Sequence, residues 1–131
     1  DFFLSSFGLI APDSKQHLFN RVIGIAGDHI VCTGPDAKLQ INGVALTEPY
    51  VNKGARQCGM AFDVTVPKNS IWAMGDNRDN STDSRYHQDL PSKGFVDLKY
   101  VVGRAFVVSF PFSHWAWLDN YPNVYKDIPK P

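Results

Sequence analysis

The sequence predicts a mainly β domain: coiled antiparallel sheets, barrel-like in outline, with irregular polar loops and one short N-terminal helix. Three observations carry this. Short runs of branched and aromatic residues recur along the chain, 10 Gly and 9 Pro punctuate them, and an Asn42-Gly43 pair separates two such runs. With 131 residues, 44% of them apolar, there is chain enough for one core and one domain over 1–131.

Apolar residues at 3, 4, 7 and 10 have helical spacing, so a short amphipathic helix is expected from Phe2 to Ile10, ended by Pro12. From residue 17 the pattern turns to β. Leu18–Ala26 is rich in branched residues and closes on Gly27-Asp28, and Ile30–Thr33 follows. Lys38–Ile41 and Val44–Leu46 flank Asn42-Gly43, the pair best suited to the positive φ of a type I′ hairpin turn. Ala61–Val66 alternates, with Phe62, Val64 and Val66 on one face and Asp63 and Thr65 on the other. Ile71–Met74 is a short apolar run, and Tyr100–Phe110 a long one around Gly103. Beyond it Phe106, Phe110, Phe112, Trp115, Trp117, Tyr121 and Tyr125 crowd together, either as an aromatic cap on the core or as a surface for a membrane interface.

Thirteen basic residues balance 13 acidic ones, which argues against a nucleic-acid partner. No apolar run is long enough to span a bilayer, and the start at Asp1 reads as a piece cut from a longer protein. Cys32 and Cys58 could pair outside the cytoplasm or remain two buried thiols. Neither lies in a CxxC, and the four histidines lack ligand spacing, so no metal and no cofactor is expected.

One stretch stands apart. Gly75-Asp76-Asn77-Arg78-Asp79-Asn80-Ser81-Thr82-Asp83-Ser84-Arg85 has no large apolar side chain, yet directly follows Ile71–Met74. A calcium loop starting at Asp79 fails, because its sixth position is Ser84 and its twelfth Leu90. What remains is a solvated turn, or a shell that holds hydroxyls and carboxylates around a catalytic centre.

This stretch resembles the GDNRxxSxDSR box of type I signal peptidases, membrane-anchored enzymes that remove signal peptides. Arg21–Asp28 resembles the family's RVIGLPGD segment. Leu39–Gly43 with Glu48-Pro49-Tyr50 resembles its following hairpin, and Val102–Phe106 running on to Phe112 resembles the strand after the box. The resemblance covers roughly residues 17–115 and looks most like actinobacterial members.

It implies Ser/Lys chemistry: a Ser hydroxyl attacks the scissile carbonyl and a neutral Lys amine is the general base. Ser81 would orient that base. Asp83 and Arg85 would pair, Asp76 could pair with Arg21, and Gly75, Asn77, Arg78 and Ser84 would support the site. His17, Leu18 and Phe19 would form a strand that pairs with the extended signal peptide of an exported preprotein. The implied location is a bacterial cell membrane, the domain facing the extracytoplasmic side, with contact through an anchor and the Trp115/Trp117 region.

Two departures matter. The nucleophile belongs to a Ser-x-Met-x-Pro box that nothing in residues 1–19 resembles, so the box and the membrane anchor are expected to lie upstream. Asn20 stands where the family has its Lys. An amide cannot take the nucleophile's proton, and loss of a general base costs about 10²- to 10⁴-fold in rate. The chain as given is therefore expected to be inactive. The alternative is a naturally non-catalytic relative that binds substrate or assists surface assembly.

Overall fold

The computed structural model describes residues 6–10, 17–104, 107–108, 116–117 and 121–131, with side chains over 20–101 and 121–131. Eleven strands occur among these residues. They are β1 (Ser6–Ile10), β2 (His17–Ile25), β3 (His29–Cys32), β4 (Gln40–Ile41), β5 (Val44–Ala45), β6 (Phe62–Thr65), β7 (Ser70–Met74), β8 (Val96–Asp97), β9 (Val101–Arg104), β10 (Val107–Val108) and β11 (Ala116–Trp117). A single helical turn, α1, covers Pro122–Tyr125. The strands form an antiparallel five-stranded sheet in the order β8-β7-β2-β1-β9, a four-stranded sheet β5-β4-β3-β6, and the pair β10-β11. As expected, the fold is mainly β, although the two larger sheets are open and not closed into a barrel.

The expected N-terminal helix is corrected over its described half. Residues 6–10 form β1, paired to β2 on one edge and to β9 on the other. Backbone pairing on both edges outweighs a helical spacing that rests on four apolar positions. Residues 2–5 lie outside the described residues.

The Asn42-Gly43 hairpin forms as the sequence demands: Asn42 has φ 51°, Gly43 φ 86°, and Gln40 pairs with Ala45. Asn42 also braces the neighbouring turn. Its Oδ1 accepts from the His29 N–H at 2.8 Å and its Nδ2 donates to Asp28 Oδ1 at 2.8 Å. In β6 and just beyond, Phe62 and Val66 are buried while Asp63 and Thr65 are exposed, the predicted alternation.

Strand β7 is buried on both faces, which is why Ile71–Met74 reads as an unbroken apolar run. Trp72 and Met74 join the main core with Ile23, Ile30, Cys32, Leu39, Ile41, Leu46, Cys58, Phe62 and Val66. Ile71 and Ala73 meet Val22 on the other face. The register of β2 with β7 shifts between Val22 and Gly24, leaving Ile23 as the extra residue of a bulge. A Cβ at Gly24 would overlap Ile30, so the two sheets approach closely there. The pairing left open in the sequence is made: Cys32 and Cys58, 26 residues apart, form a disulfide inside the core. Closing such a loop stabilises the chain by about 3 kcal/mol.

Of the aromatic tail, Phe106, Phe110, Phe112 and Trp115 lie outside the described residues, as does the Trp117 side chain. Tyr121 and Tyr125 pack inward, as shown below.

Candidate active site

Strand β7 ends at Met74, which pairs with Arg21, so the next step of that register sets Gly75 beside Asn20. A side chain is missing at Gly75 for a reason of space. A Cβ there would overlap Ser81 Oγ and come within 3.3 Å of Asn20 Oδ1. The two polar heads thus converge over one backbone position, both half-buried.

Two buried ion pairs hold that position from opposite sides. Asp83 Oδ2 accepts the Gly75 N–H at 2.9 Å, and the same carboxylate receives Arg85 Nε at 2.8 Å and Nη2 at 2.7 Å. Arg78 Nε donates to the Gly75 carbonyl at 2.9 Å, and its Nη atoms reach Glu48 at 3.0 and 2.7 Å. Both pairs have side chains with no solvent exposure. Charges so buried are tolerable only with every donor engaged. Arg78 Nη1 also donates to Gln57 O at 2.6 Å, Arg85 Nη1 to Cys58 O at 2.8 Å and Arg85 Nη2 to Arg78 O at 2.9 Å. The disulfide segment thereby supplies two of the carbonyls that satisfy these arginines. Ser84 Oγ accepts the Ala73 N–H at 3.0 Å, extending the grip two residues back from Gly75, into β7.

Arg21 closes the third side. Its guanidinium makes a two-point pair with Asp76, both contacts 2.8 Å, and lies 3.9 Å from the centroid of the Tyr50 ring. Burial opposes the charge on Arg21 and on Arg78. The hydrogen-bonded carboxylates Asp76 and Glu48 outweigh it, so both guanidiniums hold their protons more firmly than usual. Tyr50 donates to Glu48 Oε2 at 2.6 Å and is hydrogen-bonded to the Tyr125 hydroxyl. Burial pushes both phenols above their ordinary value. The Glu48 carboxylate adds to the shift in each.

Of the residues singled out in the sequence, Asn20, Gly75 and Ser81 form the convergence point, while Arg21, Asp76, Arg78, Asp83, Ser84 and Arg85 surround it. Asn77 is exposed and opens the 3₁₀ turn Arg78–Asn80 without a side-chain cap. His17, Leu18 and Phe19 belong to the N-terminal half of β2, and only their backbone is described. Sequence reasoning missed Glu48 and Tyr50 as members of the support. A charge count gave no signal, because Asp79 within the box could have served Arg78 and turns instead to Arg56. The one hint was an acid beside a Tyr, Glu48 and Tyr50, in the second resembling segment. Among the described residues no His, Cys, Asp and Glu group could hold a metal ion.

Residues 7–110 match the sequence profile of the family described as signal peptidase, peptidase S26. The chain belongs to that family. It is 35% identical to a probable signal peptidase I of Mycobacterium leprae, over 86% of this chain and 45% of the relative. To a signal peptidase I of Mycobacterium tuberculosis it is 36% identical, over 86% of the chain and 42% of the relative. These matches agree with the actinobacterial likeness seen in the sequence. Subunit 1 of the mouse mitochondrial inner membrane protease is 32% identical over 85% of the chain and 51% of its own length. The crystal structure of a signal peptidase I from Enterococcus faecalis superposes with a TM-score of 0.61 at 29% identity, covering 79% of this chain and 95% of that one. The chain thus spans about half the length, or less, of these sequence relatives. Among the described residues no helix is long and apolar enough to cross a membrane.

Proposed function

We propose that this chain is the extracytoplasmic catalytic-domain portion of a type I signal peptidase, and that in this form it holds an extended signal peptide without cutting it. The observation that carries the reading is the meeting of Asn20 and Ser81 over Gly75. In Ser/Lys chemistry that point belongs to an amine and its orienting hydroxyl. With an amide there, the geometry of a base is kept and its basicity is lost.

The sheet supports the second half of the reading. β1 covers one edge of residues 17–20, whereas β7 pairs only with Arg21–Ile25 on the other. Among the described residues, no strand lies on that second edge of His17–Asn20. An added strand would run directly to the convergence point, which suits capture of an extended peptide by backbone pairing.

Asn20→Lys in the full-length parent protein tests the reading. It should raise cleavage of a signal-peptide substrate by at least about 10²-fold, with Ser81→Ala lowering the restored rate. A folded Asn20→Lys protein with no gain, although its upstream Ser-x-Met-x-Pro box is present, would remove position 20 from the base role. If no such box stands upstream, the scaffold reading takes over: a relative that binds peptide or assists surface assembly.

A further inference from the structure

Residues 121–131 lie beyond the stretch matched by the family, yet they reach the middle of the site's support. Val124, Tyr125 and Ile128 pack on the main core, and the Pro129 carbonyl accepts from Asn42 Nδ2 at 3.0 Å. Between these anchors, α1 presents two tyrosines to Tyr50. Tyr121 turns into it at φ 50°, a region uncommon for a ring-bearing residue, and Pro122 starts the turn. The Tyr121 ring stands edge-on to Tyr50 at 5.3 Å, and the Tyr125 ring stacks on it at 6.4 Å. The Arg21 guanidinium lies 5.2 Å from the Tyr121 centroid, so it has an aromatic face from each part of the chain.

The hydrogen bonds have a direction. A carboxylate accepts only, so Tyr50 must donate its proton to Glu48. Its remaining capacity is as acceptor, and Tyr125 is then the donor to Tyr50. The chain runs Tyr125 to Tyr50 to Glu48, and Glu48 holds both Nη atoms of Arg78, whose Nε holds the Gly75 carbonyl. Networks of this kind couple their members, because each bond polarises the next.

We propose that Tyr125, seated by Tyr121, is a positioning residue: the C-terminal turn clamps Arg21 and the Glu48–Arg78 pair and so fixes Gly75 beneath Asn20 and Ser81. The importance of Gly75 to a reaction rests on the function proposed above, but the clamp itself does not.

Amide hydrogen exchange of the full 131-residue chain, without peptide, reads the clamp directly. Tyr125→Phe keeps the ring and removes the donor. Exchange at the Gly75 N–H should quicken about tenfold while Ile30 in β3 stays within about twofold. Unchanged exchange at Gly75, or equal quickening at both sites, overturns the proposal. Val124→Ala, which thins the packing of the same turn but leaves the hydroxyl chain, should quicken both sites together; selective opening of Gly75 by that change overturns it as well. Should Tyr125→Phe fail to fold, the unaltered chain decides. Its Tyr125 hydroxyl proton should give a slowly exchanging resonance close to Tyr50, and exchange at the solvent rate sinks the clamp. Binding of a signal-sequence peptide is measured separately. A clamp that holds in a chain that binds no peptide leaves this inference standing and the functional reading overturned.

Discussion

Two polar turns of this molecule look alike in sequence and behave in opposite ways. The Asn42-Gly43 hairpin tip exposes Gly43 and is held by backbone conformation and the short Asn42 side chain. Residues 75–85 are as polar, yet Arg78, Asp83, Ser84 and Arg85 are buried in them. The first turn needs only residues that tolerate positive φ. The second needs partners from two other segments: Glu48 from one, and the adjacent Gln57 and Cys58 from the other. Polar composition therefore marks a turn, and only the supply of distant partners decides whether that turn enters the core.

The strongest way to break the contrast is Glu48→Ala. It strands Arg78, fully buried, without its carboxylate. Chemical denaturation should show a loss of about 3–5 kcal/mol, the usual cost of an uncompensated buried charge. A loss below about 1 kcal/mol would mean that water reaches Arg78 and the box is a surface feature after all.

Alkaline pH should affect the two turns unequally. Tyr50 and Tyr125 keep their protons in the folded chain well past the ordinary tyrosine value of 10.0. Their contribution is complete below pH 10, where tyrosine is protonated in both states. Above it, ionisation of the unfolded chain draws the equilibrium towards unfolding. Each buried phenol should cost up to about 1.4 kcal/mol per pH unit above 10, and Tyr125→Phe should flatten the slope by one such group. A slope equal in both proteins would contradict the burial of Tyr125.

The smallest effect is expected at the hairpin. Gly43→Ala forces a side chain into φ 86° with no atom nearby to clash. The loss should be about 1 kcal/mol in thermal unfolding, with no change in exchange at Gly75. A change at Gly75 would show that the two turns communicate.

Much of this was legible in the residues. The hairpin, the alternation of Phe62–Val66 and the double burial of β7 follow from local pattern, and the box was visible as a polar run against a core strand. What escaped was set by distance. Residues 6–10 have too short an apolar pattern to distinguish one face of a helix from a strand, and their neighbours β2 and β9 decide it. Glu48 reaches Arg78 across 30 residues of sequence, a pairing no periodicity reports. Tyr125 meets Tyr50 across 75.

Gly75 is outside the left-handed region, so it is not there for its backbone freedom. It works as a measured vacancy, the volume of one absent side chain, shared by whatever residues 20 and 81 project. The Ser81 hydroxyl fills most of it and the Asn20 amide reaches its rim, so Gly75→Ala would drive the hydroxyl of residue 81 away from residue 20.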